Sequence, residues 1–130
     1  NHGKDNQMNL IKYTDKQKRA LVDLLVLGMY ADGNLDLIED EIARKILDTI
    51  KFPAESDRQY FLDESFTRAR KNWSTPETTR AFVTGLAKLF PKPEMRKEIY
   101  WTLEKSLGSD NNIADKEKQL LKLVTEEFKL

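Results

Sequence analysis

The stretch "ALVDLLVLGMYADGNLDLIEDE" (residues 20–41) decides the fold, because it joins the most apolar run of the chain to a short acidic segment. Its first ten residues are apolar at nearly every position, with Asp23 the exception. A helix that is apolar on all faces is usually buried on several sides. We therefore predict a central helix that ends near Tyr30, and an acidic turn that leads into a second helix.

Five further helices follow from apolar residues spaced three and four positions apart. The first, central helix begins at a capping box of Thr14 and Gln17, and a second box is predicted at Ser56 and Gln59. Pro76 occupies the favoured first position of another helix. The five later helices are predicted over about 37–51, from 56, from 76, over 93–107 and from 114 to the C-terminus. No segment alternates as a strand does, so the predicted fold class is all-α.

Composition limits the class of protein. The 130 residues fit one domain, which we place at 14–130, after a flexible N-terminal arm at 1–13. Lysine and arginine number 22, as do aspartate and glutamate, so no overall field favours nucleic acid. The chain has no cysteine, and the longest apolar stretch is too short to insert into a membrane. We expect a soluble, cytoplasmic protein.

An internal repeat is visible at an offset of 78 residues. It lays "LVLGMYADGNLDLIEDEIARKILDTI" (25–50) over "LEKSLGSDNNIADKEKQLLKLVTEEF" (103–128). Apolar positions keep the same phase on both sides of the turn. Gly33 aligns with Asn111, and glycine and asparagine are the two residue types that best tolerate a left-handed conformation. The sequence therefore predicts two related helical hairpins.

The two inter-helix loops resemble half of a calcium-binding EF-hand loop. With Gly33 as the sixth position, Asp36 and Glu39 occupy the ninth and twelfth ligand positions. Gly28 and Tyr30, however, occupy positions one and three, where carboxylates are usual. Because calcium takes six to eight oxygen ligands, one loop would need ligands from the other.

A shared site would form if the two hairpins pack as a pair. The predicted metal ligands are Asp32, Asp36, Glu39, Asp110 and Glu117. The oxygen-only set favours Ca²⁺ or Mg²⁺ as the cofactor, since a chain with one histidine and no cysteine offers zinc little.

Helix capping explains part of the same pattern without an ion. Asp36 is a good N-cap, Glu39 lies three residues later as its capping-box partner, and carboxylates suit the positive end of a helix. Asp32 fits this explanation less well, because the C-terminal end of a helix disfavours an anion. An acidic residue recurs there as Asp110. Cation binding and capping both remain open at this point.

Other patterns are ordinary for a helical domain. We expect two basic groups to lie on solvated helix faces. The first consists of Arg68, Arg70 and Lys71 beside Trp73. The second, which could also be a surface for a partner, consists of Lys88, Lys92, Arg96 and Lys97. Tyr60, Phe61, Tyr100 and Trp101 are expected to pack between helices. No nucleophile, base or closed pocket accompanies the carboxylates, so we expect no enzymatic activity.

The stretches "ADGNLDLIEDE" (31–41) and "SDNNIADKE" (109–117) resemble the paired A-D-G-x-I/L-x-x-x-E signatures of the tellurite-resistance TerB family and related co-chaperone domains. The second stretch departs from the pattern at Asn111 and Ala114. The resemblance covers most of 14–130 and implies a compact bundle of about six to eight helices. It also implies a role in tellurite or related stress, an acidic surface for metal ions, and protein partners in a membrane-associated stress-response complex.

Two functional hypotheses follow. The first is a non-enzymatic TerB-like stress-response module with a divalent-cation site between its acidic loops. The alternative is a metal-free adaptor that binds partner proteins and whose acidic loops only cap helices. Direct tellurite reduction conflicts with the absence of thiols.

Overall fold

A computed structural model describes residues 9–33, 40–107 and 115–130. Within these residues the chain forms one short 3₁₀ turn, six α-helices and no strand, which confirms the all-α prediction. The turn spans Leu10–Lys12. The helices are α1 (Asp15–Asp32), α2 (Glu41–Asp48), α3 (Glu55–Asn72), α4 (Pro76–Ala87), α5 (Pro93–Leu107) and α6 (Asp115–Glu127).

Helix α1 is the centre of the bundle, as its uniform apolarity predicted. Every residue from 20 to 29 is buried, including Asp23 and Gly28. The helix contacts each of the other five, and α4 and α5 also contact α6. The apolar stripes of the outer helices complete a single core. Its fully buried residues include Leu47, Val83, Ile99 and Val124.

Capping chemistry sets several helix starts. The predicted box at Thr14 and Gln17 is present, with both hydrogen bonds formed, and the Gln17 side chain also donates to the Leu89 carbonyl. Thr75 caps α4 with Pro76 at the first helical position. Since these caps depend only on neighbouring residues, the sequence could predict them.

The predicted box at Ser56 and Gln59 is wrong. Helix α3 begins at Glu55, and Ala54 occupies the N-cap without a side-chain hydrogen bond. The Gln59 amide instead donates to the Asp63 carboxylate one turn later. A glutamine near the start of a helix can bind the backbone of the N-cap or a side chain one turn later. Its spacing from a serine therefore does not decide where the helix begins.

Tyr13, the last residue of the predicted flexible arm, packs against the bundle in the structure. Tyr13 is buried, and its hydroxyl donates to Glu98 Oε1 at 2.7 Å. Lys12 forms an ion pair with the other oxygen of Glu98. The packed part of the chain therefore begins before Thr14.

The C-terminal ends of α1 and α5 lie side by side. A Cβ built on Gly28 of α1 would be 3.1 Å from Leu103 Cδ1 and 3.2 Å from Leu107 Cδ2, both in the last two turns of α5. Glycine is the residue that permits so close an approach of a helix backbone to side chains. The loops that follow α1 and α5 therefore leave the bundle from the same end.

The predicted repeat of two hairpins stays a prediction. Helices α1 and α5 begin at Asp15 and Pro93, which reproduces the 78-residue offset, whereas α2 and α6 begin at Glu41 and Asp115, which does not.

Two of the four aromatic residues expected between helices lie on the surface instead. Phe61 is buried and Tyr100 half-buried, but Tyr60 is 67% exposed and Trp101 56% exposed. Each lies beside a residue that does face the core, so its position one residue along the helix turns it outward. None of the helices described is both long and apolar enough to cross a membrane.

Candidate cation site at the loop ends

The first loop leaves α1 through a left-handed glycine. Gly33 has φ 85°, and its N–H donates to the Met29 carbonyl at 2.8 Å, which closes the helix. A residue with a Cβ would be strained at this φ, so glycine is required here, as the sequence predicted. Asp32, the last residue of α1, is exposed and its carboxylate is accessible to an ion in solution.

Helix α2 begins later than predicted. It starts at Glu41 rather than at Leu37, and its N-cap is Asp40, which has extended backbone angles. The predicted N-cap Asp36 and its box partner Glu39 lie outside the described residues. Asp40 Oδ1 accepts from the Ala43 N–H at 3.0 Å. Its other oxygen, Oδ2, accepts from the Ser106 hydroxyl at 3.1 Å. This contact with α5 favours Asp40 among several acids that could cap the helix.

The second loop ends at α6, where Glu117 lies in the first turn. This predicted ligand is 1% exposed, in contrast to the exposed Asp32. A carboxylate in the first turn is favoured by the positive end of the helix. The fold thus holds the Glu117 carboxylate in the interior, at the helix end that best tolerates its charge.

Three of the five predicted ligands, Asp36, Glu39 and Asp110, lie outside the described residues. Within 9–33, 40–107 and 115–130, no three histidine, aspartate or glutamate side chains gather as metal ligands do. What the described residues show is the arrangement of the loop ends. Asp40, which ends the first loop, contacts Ser106, which immediately precedes the last residue of α5.

A polar network that the sequence did not predict lies inside the bundle. Asp23 Oδ1 accepts from the Ser65 hydroxyl at 2.6 Å and from Arg68 Nη2 at 2.9 Å, and Oδ2 accepts from Arg68 Nε at 3.1 Å. This paired, hydrogen-bonded arrangement is how proteins accommodate a buried carboxylate. The one sequence signal was a single acid in an otherwise apolar helix.

The residues of each basic group differ in their contacts and exposure. Arg68 forms an ion pair with Asp23, whereas Arg70 and Lys71 are exposed. In the second group Arg96 binds backbone carbonyls, with Nε 2.6 Å from the Phe90 oxygen, Nη2 3.0 Å from the Ala87 oxygen and Nη1 3.2 Å from the Phe128 oxygen. The lysines of that group, Lys88, Lys92 and Lys97, are exposed.

A pair of acids on α6 binds α4. Arg80 forms ion pairs with Glu126 and Glu127, and the Thr84 hydroxyl donates to Glu127 Oε1 at 2.7 Å. The hydroxyl, and then the guanidinium, hold the pKa of Glu127 below its ordinary value. These contacts are structural, since they join the two helices along their exposed edge.

No protein-family model matches this chain, and comparisons with curated proteins and with solved structures found no match. The resemblance to the TerB family therefore depends on the motifs at 31–41 and 109–117.

Proposed function

We propose that this chain is a non-enzymatic, TerB-like stress-response module whose two acidic loops share one divalent cation, Ca²⁺ or Mg²⁺. The observation that supports the proposal is the position of the loop ends. The loops follow α1 and α5, whose C-terminal ends lie side by side at Gly28, Leu103 and Leu107. Asp40 and Ser106 join the end of one loop to the start of the other. Two loops that begin at one place can supply ligands to one ion.

The chemistry of the ligands also supports a hard cation. Neither loop alone carries the carboxylates of a complete EF-hand, so a site of six to eight oxygens requires both loops or several waters. Asp32 is exposed at the negative end of α1, where a bound cation would offset the unfavourable helix dipole. Glu117, at the start of α6, is 1% exposed, and its carboxylate oxygens are of the type that hard cations prefer.

The test is thermal unfolding of chelator-treated protein in separate titrations with calcium, magnesium and zinc. At about a hundredfold excess over its Kd, a specific ion should add roughly 2.7 kcal/mol. For a chain of this size we expect the midpoint to rise by about 3–6 °C with calcium or magnesium and by less with zinc. Curves that superimpose for all three metals would contradict a cation site.

Two variants make the result specific. Asp32→Asn/Asp110→Asn should lose the rise, because it removes a predicted ligand from each loop. Asp57→Asn/Glu64→Gln, which changes two exposed acids on α3, should keep it. A rise that survives in the first variant would place the ion elsewhere.

The second candidate function is a metal-free adaptor for partner proteins, such as members of a membrane-associated stress-response complex. The exposure of Tyr60 and Trp101 favours it, because large aromatic residues are enriched at protein interfaces. In this case Asp32→Asn should be neutral or slightly stabilising, since it only removes an anion from a helix C-terminus. Unfolding curves of that variant, with and without metal, discriminate between the two functions.

Neither proposal includes catalysis. With no thiol in the chain, purified protein supplied with an electron donor should not reduce tellurite. Reduction above a protein-free control would contradict this part of the proposal.

A further inference from the structure

A groove of about 960 Å³ runs between α4 and α6. Its floor is apolar and includes Leu120, which is 1% exposed, together with the half-buried side chains of Trp73 and Leu123. Its α4 wall includes two small residues, Ala81 and Gly85. An open, apolar groove between two helices has the shape that an amphipathic helix fills.

Gly85 shows that the groove has free space at the wall. It is exposed in the interior of α4, and a Cβ built on it would meet nothing within 4 Å. At Gly28, by contrast, an added Cβ would lie 3.1 Å from Leu103 Cδ1 and 3.2 Å from Leu107 Cδ2. Glycine inside a helix costs about 0.5–1 kcal/mol relative to alanine, and no contact within the described chain accounts for it at Gly85. Because Gly85 has no side chain, the backbone of a second helix can approach α4 closely at this position.

The charges along the groove identify the kind of partner. Two exposed lysines line it, Lys88 at the C-cap of α4 and Lys116 in the first turn of α6. Neither forms an ion pair with another described residue, whereas Arg80 is paired with both Glu126 and Glu127 of α6, whose two negative charges exceed its own. Glu77 is the one acid in the lining, so the lining residues outside that cluster carry two positive charges and one negative. A partner with carboxylates beside its apolar face complements both features.

We infer that the groove between α4 and α6 binds an acidic amphipathic helix of a partner protein. The apolar face of that helix packs on Trp73, Leu120 and Leu123, and its carboxylates pair with Lys88 and Lys116. This inference makes the adaptor function specific and rests on it, but it does not depend on a cation at the loops.

Trp73 provides a local probe of the groove. The chain has two tryptophans, and Trp101→Phe changes the exposed one, so that fluorescence then reports on Trp73. Three peptides of about 15 residues, long enough to cover α4, would be titrated against this protein. The first has leucine and alanine on one helical face with glutamate beside it, the second has lysine in place of each glutamate, and the third is a scrambled form of the first.

The acidic peptide should change the Trp73 emission saturably, and added salt should weaken its binding. The lysine peptide and the scrambled peptide should bind at least about tenfold more weakly, because each removes one of the two complementary features. Equal binding of all three peptides, or no saturable change with the acidic one, would overturn the inference.

Two groove variants, each with a matched control, locate the binding. Gly85→Leu places a large side chain in the open space beside Gly85 and should abolish binding, whereas Glu104→Leu, an exposed substitution on α5, should not. Lys88→Glu/Lys116→Glu should weaken the acidic peptide by roughly tenfold and favour the lysine peptide. The control for that charge change is Lys45→Glu/Lys97→Glu, at two exposed lysines outside the groove.

Anisotropy of a labelled acidic peptide separates failure of the groove from failure of the adaptor function. It detects binding anywhere on the protein, whereas Trp73 detects occupancy of the groove. Anisotropy binding that Gly85→Leu leaves unchanged would overturn the groove and retain the adaptor. Absence of binding by both readouts would overturn the groove and remove this support for an adaptor.

Discussion

At the scale of single residues, Asp23 shows how a charge is accommodated in the most buried helix of the chain. Its carboxylate is satisfied by Ser65 and Arg68, which lie 42 and 45 positions later in the sequence. The sequence identified Asp23 as an exception, but periodicity within one helix carries no information about partners on another. The side chain of Arg68 is 39% exposed, and its ion pair with Asp23 could not be predicted for the same reason.

Arg68→Ala should destabilise the fold by about 1–3 kcal/mol, because it leaves the Asp23 carboxylate, with 12% side-chain exposure, without its charged donor. Chemical denaturation measures the change. Arg70→Ala is the matched control, since Arg70 lies on the same helix, is exposed and should cost no more than about 0.5 kcal/mol. Equal losses in the two variants would show that the Asp23 pair adds nothing beyond helix propensity.

We expect substitution of glycine by alanine to change the unfolding free energy in opposite directions at Gly85 and Gly28. Gly85→Ala should raise the unfolding free energy by about 0.5–1 kcal/mol, because the new methyl group meets no neighbour and alanine favours the helix. Gly28→Ala should lower it by about 1–3 kcal/mol, because the methyl group would press on the buried Leu103 and Leu107. Denaturant midpoints of both variants test the pair, and a stabilising Gly28→Ala would mean that these leucines move aside readily.

At the scale of elements, Arg96 joins the C-terminal ends of two helices. Its guanidinium donates to Ala87 and Phe90 at the end of α4 and to Phe128 at the end of α6. A cation is favoured at both ends by the helix dipoles. Arg96→Lys should cost about 1–3 kcal/mol, because one ammonium group cannot reach three carbonyls in fixed directions.

The control for Arg96→Lys is Lys97→Arg, a change of the same two residue types at the adjacent, exposed position. It should alter the free energy of unfolding by less than about 0.5 kcal/mol. If Arg96→Lys were equally mild, positive charge alone, without the planar fork, would suffice to join α4 and α6.

The contact between α4 and α6 also predicts a dependence on pH. The Thr84 hydroxyl and Arg80 lower the pKa of Glu127 from its ordinary value of 4.5. The folded state therefore binds this proton less readily than the unfolded chain. The stabilisation is present above about pH 4.5 and is lost as the pH falls through the lowered pKa of the folded state.

Unfolding measured from pH 7 to pH 3 should show this loss, and Glu127→Gln should show less of it than the parent protein. Glu64→Gln, at an exposed position on α3, is the control and should keep the full acid sensitivity. A parent and a Glu127→Gln variant that lose stability in parallel would contradict the lowered pKa.

The elements that the sequence predicted best are those whose ends depend on adjacent residues. The cap at Thr14, the proline at the first position of α4 and the left-handed Gly33 are of this kind. The start of α2 was predicted too early, since the choice of Asp40 as N-cap is favoured by its contact with Ser106 on a distant helix. A run of acids offers several equivalent caps, and only tertiary packing selects one.

At the scale of the whole molecule, the central position of α1 brings the starts of both acidic loops to one end of the bundle. The sequence predicted the two loops and their similar acids, and it predicted that they would converge if the hairpins packed together. Among the described residues, the packing at Gly28 places the C-terminal ends of α1 and α5 side by side. The ligand geometry itself could not be predicted, because a shift of one position in a short loop changes which carboxylates point inward.

A double-mutant cycle distinguishes one shared ion from two separate ones. The calcium-induced gain in unfolding free energy would be measured for the parent protein, Asp32→Asn, Asp110→Asn and the double variant. If both carboxylates bind the same ion, each single change should remove most of the gain and the double change little more. Two independent loops should instead lose the gain additively, within about 0.3–0.5 kcal/mol. Because Asp32 ends a helix whose dipole opposes it, Asp32→Asn should not itself weaken the metal-free fold, so a lost gain would report on the ion.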